Sequence, residues 1–109
     1  MIIARWTIHA RFGHKQTVTD SLLKWHKDIG SAIGWKDFRI LTGSIGAAES
    51  TVQSEIVLND ISELNDSWDK LATIDAHKQW SKDLEPYVVS GTPRWEVFRI
   101  VADKGTSAN

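Results

Sequence analysis

The residues with chemistry to offer are six tryptophans, four histidines and a few charges that fall inside otherwise apolar stretches. Cysteine is absent, which removes disulfides, thiolate nucleophiles and cysteine-ligated zinc together. His9, His14, His26 and His77 are scattered. No carboxylate–histidine spacing joins them, so neither a dedicated metal site nor a bound cofactor is expected. Phosphate-binding glycine loops, nucleophile elbows and triad signatures are also missing.

One polar constellation stands out. Arg5, His9, Arg39 and Glu55 all sit at strand positions whose alternation turns them away from the apolar side. Together they form a cluster that could orient a ligand or move a proton. The plainer alternative is a set of ion pairs that satisfies charge where this face is covered, and that alternative is favoured because buried charges must be paired whatever the function.

The tryptophans, at positions 6, 25, 35, 68, 80 and 95, offer a different chemistry. An indole combines a large apolar surface with a single N–H that needs a partner when buried. Six of them in a small domain either fill the core or line a cavity for a flat ligand, and burial statistics favour the core. If there is a cavity, Trp6, Trp25, Trp68 and Trp80, with His77, are the candidates to line it. Thr7 and His77 would then lie near its rim.

The elements that must position these residues follow from periodicity. Ile2 to Phe12 alternates apolar and polar, which predicts a strand with Ile2, Ala4, Trp6, Ile8, Ala10 and Phe12 on one face. Thr17 and Asp20 have capping-box spacing and predict a helix starting near Thr17. Its apolar stripe is Val18, Leu22, Trp25, Ile29 and Ile33, and either Gly30 or, better placed, Gly34 ends it. Strands are predicted over 37–42 and 51–59, joined by a small-residue loop. Asp60, with Glu63, should cap a second helix striped by Ile61, Leu64, Trp68 and Leu71. A break is expected near Thr73 to Asp75, with Asp75 as a second cap before Ala76, Trp80 and Leu84, and Pro86 limits the far end. A last strand is read over 95–101, although its parity leaves open which residues face which way. Residues 1–101 thus read as one domain and 102–109 as a flexible tail.

This order predicts an α+β fold of ferredoxin-like βαββαβ type, with helices on one face of an antiparallel sheet. The other face mixes Arg5, His9, Arg39 and Glu55 with Ile3, Leu41 and Val57, and a second copy of the chain could cover it and close a barrel. The same topology serves RNA recognition, but that role needs aromatics on the open face. This face offers none on its first and third strands, and the net charge is −1, so no nucleic-acid partner is expected. No segment is apolar over a length that would span a membrane, and the first residues interrupt their apolar run with Arg5 and His9, so no membrane partner and a cytoplasmic location are expected.

The stretch GSIGAAESTVQSEIVLNDISELNDSWDKL, with the later HKQW and LEPYV, resembles the NIPSNAP-like families of the dimeric α+β barrel superfamily. The resemblance runs from about Arg39 to Val101 and rests on Gly46, Glu55, Trp68, Trp80 and the Pro86–Tyr87 pair. It implies a homodimeric barrel of unestablished activity that binds a small, largely apolar molecule between helices and sheet. The alternative it implies is a cofactor-independent monooxygenase acting on an aromatic or polycyclic substrate. Haem-degrading members of that superfamily hold haem with a tryptophan and a histidine on the second helix and an asparagine on the first strand. Trp68 and His77 match in type, but Thr7 stands where the asparagine would be, so no specific haem binding is expected.

Overall fold

The computed structural model describes residues 1–103 of the 109-residue chain. Four strands, β1 (Ile2–His9), β2 (Phe38–Thr42), β3 (Thr51–Leu58) and β4 (Arg94–Arg99), form one antiparallel sheet in the order β2-β3-β1-β4. The helices α1 (Lys15–Trp25), α2 (Ile61–Leu71) and α3 (Asp75–Leu84) complete the α+β ferredoxin-like fold. No helix among the described residues is long and apolar enough to cross a membrane. Of the predicted tail, 104–109 lie outside the described residues, and 102 and 103 are exposed.

Register assigns the faces. Trp6 pairs with Ser54 on β3 and with Trp95 on β4, while Ala4 pairs with Ile56 and Val97. Residues directly opposite each other in an antiparallel pair share a face, so Trp95 and Val97 belong to the helix side. Glu96 and Phe98, opposite Arg5 and Ile3, belong to the open side. This settles the parity of the last strand. The predicted helix-side rows hold: Ile2, Ala4, Ile8, Val52, Ile56 and Leu58 are all buried.

The predicted strand is too long at Phe12. The ladder ends at His9, Ala10 makes one isolated bridge to Val88, and Phe12 is fully exposed. Gly13, at φ +84°, turns the chain out of the sheet there. The first helix also starts earlier than predicted, at Lys15, with no side-chain cap. Asp20 does not reach back to Thr17; its carboxylate accepts from the Gln16 amide at 2.8 Å instead. The stripe itself is right, since Val18, Leu22, Trp25, Ile29 and Ile33 are all buried.

Between Trp25 and Gly34 the helix changes pitch. A π-helical turn spans His26–Gly30 and a 3₁₀ turn spans Ser31–Ile33, before Gly34 closes the segment at φ +89°. The wider π turn brings neighbouring residues to the same side, so Trp25 and His26 are both buried, as are Ile29 and Gly30. Gly30 leaves room there: a Cβ would stand 3.1 Å from the Trp25 ring and 3.3 Å from His26 Nδ1, so both rings would have to shift slightly.

The predicted Asp60 cap is present, with its carboxylate accepting from the Glu63 N–H at 2.9 Å, and the Glu63 carboxylate accepts from the Asn59 N–H at 3.0 Å. The break between the second and third helices also falls where expected. Asp75, however, is the first residue of α3 and not its cap; extended Ile74 holds that position. Its inward stripe is His77, Trp80 and Leu84, and Ala76 is exposed. Two core clusters lie between sheet and helices, one around Trp25, Trp35 and Ile56 and the other around Ile8, Leu22 and Val52, and Trp80 packs against both.

Candidate functional site

The seam between the two core clusters holds a cavity of about 200 Å³, and all six tryptophans line it. Each arrives from a different part of the chain: Trp6 from β1, Trp25 from the end of α1, Trp35 from the loop after Gly34, Trp68 from α2, Trp80 from α3 and Trp95 from β4. Five of them form a closed circuit of ring contacts. Trp6 meets Trp80 at 6.3 Å between centroids, Trp80 meets Trp25 at 6.0 Å, and Trp25 meets Trp35 at 5.5 Å. Trp35 then meets Trp95 at 6.5 Å, and Trp95 stacks on Trp6 at 6.3 Å. Trp68 joins from outside, edge-on to Trp95 at 5.5 Å.

The break between α2 and α3 makes the space. One continuous helix would lay its side chains along the sheet without interruption, whereas here Trp68 and Leu71 close α2 and His77 opens α3 around a gap. On the sheet floor the row Val52, Ser54, Ile56 places a small side chain where a large aliphatic one would fill the hollow. Trp25 and Trp35 are buried, while Trp68 and Trp95 are 37% and 40% exposed, so the cavity has a deep wall and an open mouth. A neighbouring hollow of about 280 Å³ shares Trp6, Trp80 and Ser81 with it and continues under Leu84, Val88 and Pro93.

Polar groups in the lining are few, and none is charged. They are Ser54, Ser81 and His77. His77 Nδ1 accepts the indole N–H of Trp25 at 3.0 Å, and its ring stacks on Trp80. Desolvation by burial lowers the His77 pKa below 6.5, so the ring is neutral at pH 7. Behind Ser54 lies His26, only 2% exposed, with Nε2 at 2.6 Å from the serine hydroxyl and its ring stacked on Phe38 at 4.1 Å. Burial pushes the His26 pKa down to about 4.

The structure thus brings Trp6, Trp25, Trp68, Trp80 and His77 to one cavity, and shows that Trp68 and His77 face the same space despite the break between their helices. Thr7 is not at its rim. It is buried on the opposite sheet face, where its hydroxyl accepts from the Gln53 amide at 3.3 Å. Sequence reasoning did not assign Leu22, Trp35, Ser54, Leu71, Ser81 and Trp95 to the lining, nor His26 behind the wall.

The polar sheet-face residues form a second assembly. Arg5 donates from Nε to Glu55 at 2.9 Å and from Nη2 at 2.8 Å, and Arg39 Nη2 lies 2.5 Å from the other carboxylate oxygen. Glu55 is 3% exposed although its face of the sheet is open. Arg5 also lies over the Phe98 ring at 4.9 Å. His9 is apart from this cluster, with Nδ1 at 2.8 Å from the Ser50 hydroxyl. Among the described residues no group of three or more His, Cys, Asp or Glu side chains is placed to hold a metal ion.

No family model matches the sequence, and no curated protein matches it either. Solved structures do. An uncharacterized NIPSNAP domain protein from Burkholderia xenovorans superposes with a TM-score of 0.70 at 15% identity, covering 94% of this chain and 96% of its own. The fold is that of the NIPSNAP and antibiotic-biosynthesis-monooxygenase-like proteins. A NIPSNAP family protein from Agrobacterium tumefaciens matches at 0.68 and 18% identity, covering 94% of both chains. SnoaB, a cofactor-independent oxygenase from Streptomyces nogalater, matches at 0.69 and 8% identity, covering 94% of this chain and 95% of its own. At these identities the likeness is one of fold, and function has to be argued from the site.

Proposed function

We propose that this protein binds a flat, mainly apolar small molecule in the tryptophan-lined cavity, and does so as a homodimer whose second copy covers the open sheet face. The convergence of all six tryptophans on one uncharged cavity carries the first half of the reading. A protein that needed indoles only as filler would have no reason to leave space among them. Such a site holds its ligand by area burial and aromatic contact, without charge.

The dimer reading draws on the open face. Leu41 and Phe98 are 37% and 43% exposed there, with Ile3 and Val57 half-buried beside them. They surround the Arg5–Glu55–Arg39 cluster, in which both arginines pair with the one buried carboxylate. A face of that kind is ready to be covered, and a stable interface would bury at least about 800 Å² on each partner.

Cofactor-independent oxygenation of an aromatic or polycyclic compound is the second reading, and the likeness to SnoaB favours it. That chemistry calls for a base beside the substrate. The accepting nitrogen of His77 is already taken by the Trp25 N–H, which is why binding is the stronger reading. The test is a titration with indane, a flat hydrocarbon, followed by tryptophan fluorescence. Saturable quenching with one site per chain supports the reading, and a linear response with no saturation contradicts it.

A further inference from the structure

Resting on the binding reading above, we infer that the ligand carries a carbonyl-type oxygen, and that the Ser54 hydroxyl, backed by His26, is the fixed donor that receives it. His77 Nδ1 accepts from Trp25, so the proton of this neutral ring is on Nε2, and what His77 has left to offer is a donor. The indole N–H groups of Trp25, Trp35 and Trp80 are used within the protein, by His77, Ser67 and the Ser21 carbonyl. Those of Trp6, Trp68 and Trp95 have no protein acceptor among the described residues and are donors only.

Ser54 completes the set. Its hydroxyl lines the cavity, and its protein partner is the buried His26 Nε2 at 2.6 Å. His26 Nδ1 is buried with no hydrogen-bond partner among the described residues. Two arrangements of the shared proton exist. If Ser54 donates to Nε2, the ring proton sits on Nδ1, and a buried N–H is stranded. If Nε2–H donates to Ser54, Nδ1 is a bare lone pair and the serine proton is free to point into the cavity. Orphaned buried N–H groups are the rarer defect, so the second arrangement is assigned. The burial that keeps His26 neutral holds this arrangement at ordinary pH.

Among the described lining residues, Ser54 on the floor and His77 on the helix side therefore offer donors, with no cation and no carboxylate beside them, while the Ser81 hydroxyl donates to the His77 carbonyl at 3.1 Å and has only acceptor capacity left. An uncharged aromatic ketone or related carbonyl compound matches that pattern. A hydrocarbon would fill the space but leave the Ser54 proton unpaired, and a ligand that only donates would leave it unpaired too. Ser54 is a specificity residue in this account, and His26 a positioning residue that sets the direction of its proton.

Three flat bicyclic probes of similar size separate these cases by calorimetry: indane, with no polar group; 1-indanone, with an acceptor; and indole, with a donor. The wild-type protein is expected to bind 1-indanone about fivefold more tightly than indane, the gain of one net hydrogen bond, and to show no such gain for indole. Ser54→Ala should abolish the preference, so that 1-indanone and indane bind alike, with indane held at least as tightly as by the wild type because no serine proton is left unpaired; retained indane binding also reports an intact cavity. His26→Gln, which can still reach Ser54 with an amide, should restore more of the preference than His26→Phe does. Equal affinity for indane and 1-indanone in the wild type, a stronger gain for indole, or a preference that survives in Ser54→Ala would each overturn the inference while leaving apolar binding intact. Failure of all three probes to bind would overturn the binding reading and this inference with it.

Discussion

The indole N–H of Trp25 meets Nδ1 of His77 at 3.0 Å, joining the end of α1 to the first turn of α3 across 52 residues of sequence. Trp25 is 7% exposed, so its donor has no ready access to water once the histidine is gone. His77→Ala should therefore lower stability by about 1–3 kcal/mol, the range for a buried group left unsatisfied. Denaturant titration checks this, and His77→Gln, whose amide oxygen can accept from the indole, should recover part of the loss.

The two lowered histidine pKa values make stability depend on pH in a defined direction. His26 is held near 4 against 6.5 in the unfolded chain, and burial also lowers His77. Well above pH 6.5 both are neutral in either state and contribute no slope. Below it the unfolded chain takes up protons that the folded chain refuses, so stability falls as pH drops toward 4, by roughly 2–4 kcal/mol for His26 alone. Thermal unfolding between pH 7.5 and 4.5 should show that fall, and His26→Gln should flatten it.

Glu55 and Arg39 should differ sharply in what they contribute, although they form one ion pair. Arg39 is 67% exposed and Glu55 only 3%. Arg39→Ala removes a solvated partner and should cost under about 1 kcal/mol. Glu55→Ala removes the carboxylate that both arginines face and leaves a gap beneath them, for about 1–3 kcal/mol. Chemical denaturation of the two single variants measures the contrast.

The proposed dimer predicts a mass near twice 12.3 kDa by light scattering at micromolar concentration. Leu41→Asp or Val57→Asp, each placing a charge on the open sheet face, should shift the wild-type dimer toward monomer. A wild-type protein that runs as a monomer would remove this part of the proposal.

The strands and helices were legible because their apolar rows follow simple periods. The Val18-to-Ile33 stripe and the Val52, Ile56, Leu58 row are both buried as read. The site was half legible, for particular reasons. Trp25, Trp68 and Trp80 lie on helical stripes, and Trp6 on an alternating strand. Trp35 follows Gly34 in a segment with no period, and Trp95 sits in a strand whose two parities both carry apolar residues, so neither could be aimed by pattern. His26 is one residue off the stripe and turns inward only because the chain adopts a π turn there, which a 3.6-residue period does not encode. Ser54 could have been found, since the parity of Val52 and Ile56 places it on the helix side, and a lone serine in an apolar row is a signal of space or of a polar partner.

The most direct test of the tryptophan cavity is calorimetric titration of indane into wild-type protein, Trp68→Ala and Arg39→Ala. Trp68 is part exposed at the cavity mouth, so its removal should weaken binding at least about tenfold, the loss of one aromatic wall, while the fold is kept. Arg39 is on the opposite sheet face and its removal should change nothing. Saturable wild-type binding that is lost in Trp68→Ala and kept in Arg39→Ala is the predicted result. Binding that is absent in the wild type, or equal in wild type and Trp68→Ala, would contradict the account and leave the six tryptophans as core.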